Sequence, residues 1–146
     1  MKILIEWPIL SVLIFLPLVG ALFILFIRGE ESVAAANVRA EALWASLITF
    51  ATSLLLWVKF DRTTADFQFT EHREWISEFG MSYSLGIDGI SLLFVVLTTF
   101  LSLICILASW ESIVIRVKEY MIAFLVMETM MIGVFCALDT FLFYIF

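Results

Sequence analysis

Residues 7–27 read WPILSVLIFLPLVGALFILFI, and this run decides the fold class. It contains 21 residues and no charge. A helix rises about 1.5 Å per residue, so the run is long enough for the ~30 Å of a bilayer's hydrocarbon. A secretory signal is the competing reading, because Lys2 gives a positive start and AAAN at 34–37 offers small residues. Its apolar stretch would be only about half this length, however, and the charged RGEE at 28–31 separates the run from the small residues. The run reads as a retained membrane span.

The rest of the chain repeats the pattern. Further spans are expected at about 42–60, with Trp44 and Trp57 near the ends, at 90–109, followed by Trp110, and at 120–138. A fifth apolar segment, 139–146, rises about 10 Å and covers a third of a membrane. The expected fold is therefore an all-α integral membrane protein, a single incomplete domain over 1–146. It is a transmembrane helix bundle fragment of four complete helices plus the start of a fifth. Of 146 residues, 64% are hydrophobic, more than a water-soluble surface accommodates. The net charge is −6 and there is no basic patch, which excludes nucleic acid as a partner and leaves the lipid bilayer. Cys105 and Cys136 lie in apolar runs and read as small buried hydrophobes, and His72 as a solvated loop residue. Pro17 predicts a mild kink in the first span, and Gly20 a close helix contact.

The loops are of two kinds. Arg28 and Arg39, with Arg116 and Lys118, fall in two short loops on one side of the membrane. Lys2, Lys59, Arg62 and Arg73 fall on the other, so only the density of charge in the short loops points them inward and the N-terminus outward. The external loop, 61–89, includes MSYSLGID, in which Met81, Tyr83, Leu85 and Ile87 alternate with smaller or polar residues. This predicts a short β-hairpin on the membrane surface, with an irregular loop as the alternative.

Three acids stand out. Glu128 lies deep in the fourth span, where an ionised carboxylate is costly unless it faces a partner or a polar cavity. It is a candidate proton-relay residue; a protonated side chain hydrogen-bonded between helices is the plainer alternative. Thr129 points about 100° away and need not act with it. Asp88 and Asp139 each precede an apolar run, so they read as helix caps, with a surface entrance for ions as the alternative. No catalytic residue, metal ligand or cofactor-binding motif for nicotinamide, flavin or an iron–sulfur cluster is visible.

YSLGIDGISLLFVVLTTFL at 83–101, ASWESI at 108–113 and IGVFCALDTFLFYIF at 132–146 resemble the antiporter-like subunit M of respiratory complex I, called subunit four in mitochondria. EYMIAFLVMET at 119–129 is similar to the alphaproteobacterial and mitochondrial versions. The resemblance covers the chain as the N-terminal third of such a subunit, with the first two spans alike only in kind. It implies part of a proton-translocating subunit of NADH:quinone oxidoreductase, an enzyme as a complex but without a redox site in this chain. NADH, FMN, iron–sulfur clusters and quinone would bind in partner subunits. The expected home is the bacterial cytoplasmic or mitochondrial inner membrane, with the N-terminus and a β-hairpin outside. The family's channel glutamate would fall two residues after Phe146, so no channel residue carries over. A split gene would need a second chain to supply the rest of helix five; truncation is the other expectation. Alternatives are a subunit of a multi-subunit cation/proton antiporter or membrane-bound hydrogenase and, from another class, a small free-standing four-helix scaffold.

Overall fold

Apolar runs of membrane length become helices because only internal hydrogen bonding satisfies a backbone that has no water beside it. The computed structural model describes residues 8–146. Lys2 and Trp7 lie outside the described residues, so the first span is followed from Pro8. The elements are α1 (Ile9–Phe26), α2 (Glu31–Lys59), β1 (Gln68–Ile76), a single 3₁₀ turn (Ser77–Phe79), β2 (Met81–Ile87), α3 (Gly89–Ser112), α4 (Val117–Cys136) and α5 (Thr140–Ile145). The first four α-helices are each long and apolar enough to cross a membrane. An all-α membrane bundle carrying a short hairpin is thus the observed architecture.

α1 to α4 run alternately up and down. α2 and α4 touch across the middle, and α1 and α3 flank them on opposite sides. α1 continues unbroken through Pro17. α2 begins eleven residues before the span read from sequence at 42–60, because the alanine-rich SVAAANVRAEA favours helix well beyond the apolar run. At 29 residues it is about 43 Å long, more than the hydrocarbon needs. Its first turns pack against the loop between α3 and α4: Arg39 donates from Nη2 to the Ile113 carbonyl at 2.8 Å. At the same end Lys118 Nζ donates to the carbonyls of Leu25 and Ile27, each at 3.1 Å, and so takes up acceptors at the end of α1.

The opposite end carries the hairpin. β1 and β2 pair antiparallel, with irregularities between Gln68 and Glu71 and between Glu74 and Ile76. The hairpin does more than lie on a surface. Leu85 and Ile87 are fully buried among Leu10, Leu13, Leu56, Leu92 and Ile132, so β2 plugs the end of the bundle. A second apolar cluster, Ala21, Ile24, Val38, Ala42, Ile106, Met121 and Leu125, fills the far end. Large apolar side chains on the outside, Phe23, Phe26, Leu55 and Ile90 among them, stay exposed. In a membrane that surface meets lipid or neighbouring helices rather than water.

Two glycines set close approaches. At Gly20 a Cβ would stand 2.5 Å from the Ala45 Cβ, so α1 and α2 meet backbone to backbone. At Gly133 a Cβ would meet the Phe146 ring at 2.6–2.7 Å, so the glycine makes room for the end of α5. Gly20→Ala should therefore push α1 from α2 and destabilise the bundle by about 1–3 kcal/mol. Adding Ala45→Gly should restore most of the loss. Denaturant unfolding of the four variants in detergent micelles, followed by circular dichroism, measures both effects.

Candidate functional site

The buried faces of α2, α3 and α4 change character at mid-height. On α2 the inward stripe runs Val38, Ala42, Ala45, then Ser46, Thr49 and Ser53, then Leu56. α3 contributes Thr98, Thr99 and Ser102 between Val95 and Ile106, and α4 contributes Glu128 and Thr129 between Leu125 and Ile132. These eight polar residues form a layer between the two apolar clusters. The spacing of Ser46, Thr49 and Ser53, and of Thr98 or Thr99 and Ser102, puts each of those sets on one helical face, while Glu128 and Thr129 are neighbours on α4.

Glu128 has no exposed surface. It lies eight residues, about 12 Å, before the end of α4 at Cys136. Ser46 Oγ donates to Glu128 Oε2 at 3.4 Å, a long bond from the neighbouring helix. Oε1 of Glu128 and the hydroxyl of Thr129 are buried without a hydrogen-bond partner. Among the described residues no basic side chain pairs with this carboxyl group, which has one long hydrogen bond and one bare oxygen. Ser53 Oγ and Thr99 Oγ1 sit 2.9 Å apart and join α2 to α3. Ser53 also reaches the Phe50 carbonyl at 2.6 Å and Thr99 the Val96 carbonyl at 2.9 Å. Sequence reasoning finds Glu128 by its charge and Thr129 beside it, but not the other serines and threonines of the layer. Their signal was the helical spacing of small polar residues inside apolar runs, which marks helix–helix interfaces in membranes.

Asp88 and Asp139 lie at the hairpin end, apart from this layer. Asp88 Oδ1 accepts from the Ser91 N–H at 2.8 Å at the start of α3, and that bond holds its carboxyl below the ordinary carboxylate range. Asp139 accepts from the Phe141 N–H at 2.9 Å at the start of α5. It also accepts from the Ser82 N–H at 3.0 Å and the Ser82 hydroxyl at 2.8 Å, so it ties β2 to α5. These bonds, that from Phe141 foremost, lower its pKa. Next to it, the Leu138 N–H donates to the Ser84 carbonyl at 2.9 Å.

A third acid was not singled out in the sequence. Glu71 on β1 reaches the start of α1, where its Oε1 accepts from the N–H groups of Leu10 at 3.0 Å and Ser11 at 3.2 Å. Ser11 Oγ donates to Glu71 Oε2 and faces the Tyr83 hydroxyl at 2.8 Å. Burial raises the pKa of that hydroxyl, which stays protonated and can donate to Ser11. Pro8, at the cap position, supplies no side-chain cap of its own, so Glu71 does this from sixty residues away. His72 is exposed and bonds Ser84 through Nδ1 at 2.7 Å. Among the described residues, no three His, Cys, Asp or Glu side chains come together as metal ligands would.

Over 137 residues the chain is 50% identical to NADH-ubiquinone oxidoreductase chain 4 of Arabidopsis thaliana. Over 139 residues it is 50% identical to NADH-quinone oxidoreductase subunit M of Rhodobacter capsulatus. Subunit M of Rickettsia typhi is 41% identical over 144 residues. Its relatives are NADH-quinone oxidoreductase subunits. The resemblance read from residues 83–101, 108–113 and 132–146 therefore extends over 94–97% of the chain. The chain spans only 27–29% of the length of these relatives. No protein-family model matches it.

Two outcomes follow from the hairpin end. The bonds to Asp139 favour its charged form in the folded protein, so their contribution is present above the unfolded carboxylate pKa, about 3.9. It is lost as pH falls through the lower folded value. Protection of the Ser82 and Phe141 amides, taken relative to their intrinsic exchange rates, should fall on acidification below about pH 4, and Asp139→Asn should lose much of this pH dependence. Glu71→Ala should leave the Leu10 and Ser11 N–H groups bare and weaken the start of α1 by about 1–3 kcal/mol. Faster exchange at those two amides, with the α3 amides unchanged, is the expected result.

Proposed function

We propose that this chain forms part of a proton-translocating membrane subunit of NADH:quinone oxidoreductase. The observation that carries the reading is the likeness to chain 4 and subunit M over 94% of this chain, in a bundle of four membrane-length helices. Its partners would be the other membrane subunits of that complex and, if the gene is split, a chain supplying the rest of helix five. Electron transfer would belong to partner subunits holding NADH, FMN, iron–sulfur clusters and quinone. This chain's own contribution is to move or hold protons, and Glu128 is its candidate relay residue.

We place the chain in a bacterial cytoplasmic or mitochondrial inner membrane, with the hairpin outside. Supporting this, Arg28, Arg39, Arg116 and Lys118 gather at the end away from the hairpin. Tagged protein in mild detergent should co-migrate with NADH:quinone reductase activity on native gels. Migration as a small oligomer without that activity would sink the proposal and favour a free-standing scaffold. For orientation, Glu78→Cys in the hairpin turn should react with an impermeant maleimide added outside intact cells. Glu111→Cys, exposed in the last turn of α3 at the far end of the bundle, should react only after the membrane is opened. The reverse pattern would invert the topology.

A further inference from the structure

His72 is exposed on β1, yet its ring is tied into the junction between the hairpin and α5. Its Nδ1 lies 2.7 Å from Ser84 Oγ, Ser84 Oγ lies 3.0 Å from Ser82 Oγ, and Ser82 Oγ lies 2.8 Å from Asp139 Oδ2. Asp139 also accepts from the Phe141 N–H. Four side chains thus run in line from an exposed ring to the start of α5. The same seam carries backbone pairing, because the Leu138 N–H donates to the Ser84 carbonyl and Leu85 bridges to Ala137. Trp75 of β1 packs beside Phe141, with ring centres 6.3 Å apart.

Chemistry fixes the direction of every bond in this line. The Asp139 carboxylate, kept ionised by its hydrogen bonds, can only accept. Ser82 therefore directs its one hydroxyl hydrogen to Asp139 and must accept from Ser84. Ser84 then has no hydrogen left for His72, so the ring must donate from Nδ1. A neutral ring in this line is the Nδ1–H tautomer, with its lone pair on Nε2. Among the described residues Nε2 has no partner. A proton taken up there breaks no bond in the line. It makes the Nδ1–H bond charge-assisted, roughly twice as strong as a neutral one.

Two acids face the ring. Asp139 does so across the serines, and Glu74 lies two residues along the same face of β1, opposite Ser82. β2 presents Ser82 and Ser84 on that face, while Glu71 and Arg73 lie on the other. No cation faces the ring among the described residues.

We propose that His72 is a pH-sensitive clamp: a proton taken up at Nε2 tightens the line through Ser84 and Ser82 to Asp139 and so fastens the hairpin to the start of α5. Histidine is the side-chain type whose charge changes nearest neutral pH. The clamp slackens in two directions. In alkaline water the ring is neutral, and below about pH 4 the anchoring carboxylate takes up a proton of its own. Only residues of the hairpin and the α4–α5 junction take part, so the clamp does not rest on the proton-translocating reading above.

The chain contains one histidine, so nitrogen-15 histidine labelling leaves a single ring to follow by NMR. The test uses the full chain in lipid nanodiscs, purified through a histidine-free tag. The neutral ring should carry its proton on Nδ1, and Asp139→Ala should release it toward the Nε2–H form that a free side chain prefers. As the ring gains its charge, protection of the Ser82, Leu138 and Phe141 amides, relative to intrinsic exchange rates, should rise about fivefold. The α3 amides should not change. His72→Asn keeps a donor near the Nδ1 position but cannot titrate, so it should hold protection level over the same pH range; His72→Ala should lower it. A neutral wild-type ring found as Nε2–H overturns the proposal. So does amide protection that stays level while the wild-type ring titrates, or that rises equally in His72→Asn. The first two readings come from the unaltered chain and need no variant to fold.

Discussion

A helix that crosses hydrocarbon must satisfy its own backbone, yet its first N–H groups and last carbonyls have no partner within the helix. Most of what lies outside the spans of this protein answers that demand. Glu71 supplies acceptors to the start of α1, and Asp88 and Asp139 to the starts of α3 and α5. Lys118 supplies donors to the end of α1. The hairpin brings two of these acids into contact with distant parts of the chain: Glu71 itself, and Asp139 through Ser82. Burying Leu85 and Ile87 in the bundle end fixes the hairpin well enough for such bonds to be short.

The same demand shapes the middle of the bundle, where lipid offers no driving force for helices to associate. Small residues allow close approach, as Gly20 and Ala45 do, and polar residues bond across interfaces, as Ser53 and Thr99 do. Glu128 differs from these. Its single long bond to Ser46 leaves one oxygen bare, which is costly for a residue kept only for packing. Between two well-packed apolar clusters, that makes Glu128 the most weakly bonded acid in the bundle interior among the described residues.

Much of this could be read from the chain. Length and apolarity give the spans, because the bilayer's thickness fixes how many residues a helix needs. The alternation from Met81 to Ile87 gives the second strand, and position before an apolar run marks Asp88 and Asp139. What could not be read is what depends on residues far apart. Glu71 looks like one more charge in a mixed loop, and only the fold brings it to Leu10 and Ser11. The hydroxyl layer hides for another reason. Ser46, Thr49 and Ser53 are individually ordinary in a membrane helix, and their partners on α3 and α4 become visible only when the three stripes face inward together. The start of α2 at Glu31 was obscured because the apolar run, not helix propensity, drew attention.

The reach of Glu71 has a consequence for how the protein is made. α1 precedes the hairpin in the chain, so the acid that caps it is made sixty residues later, after two membrane-length helices. Until the hairpin folds, the leading helix carries an unfinished end at the lipid–water boundary. Completion of the first span therefore waits for the hairpin, which makes that hairpin a timing element in how the bundle closes.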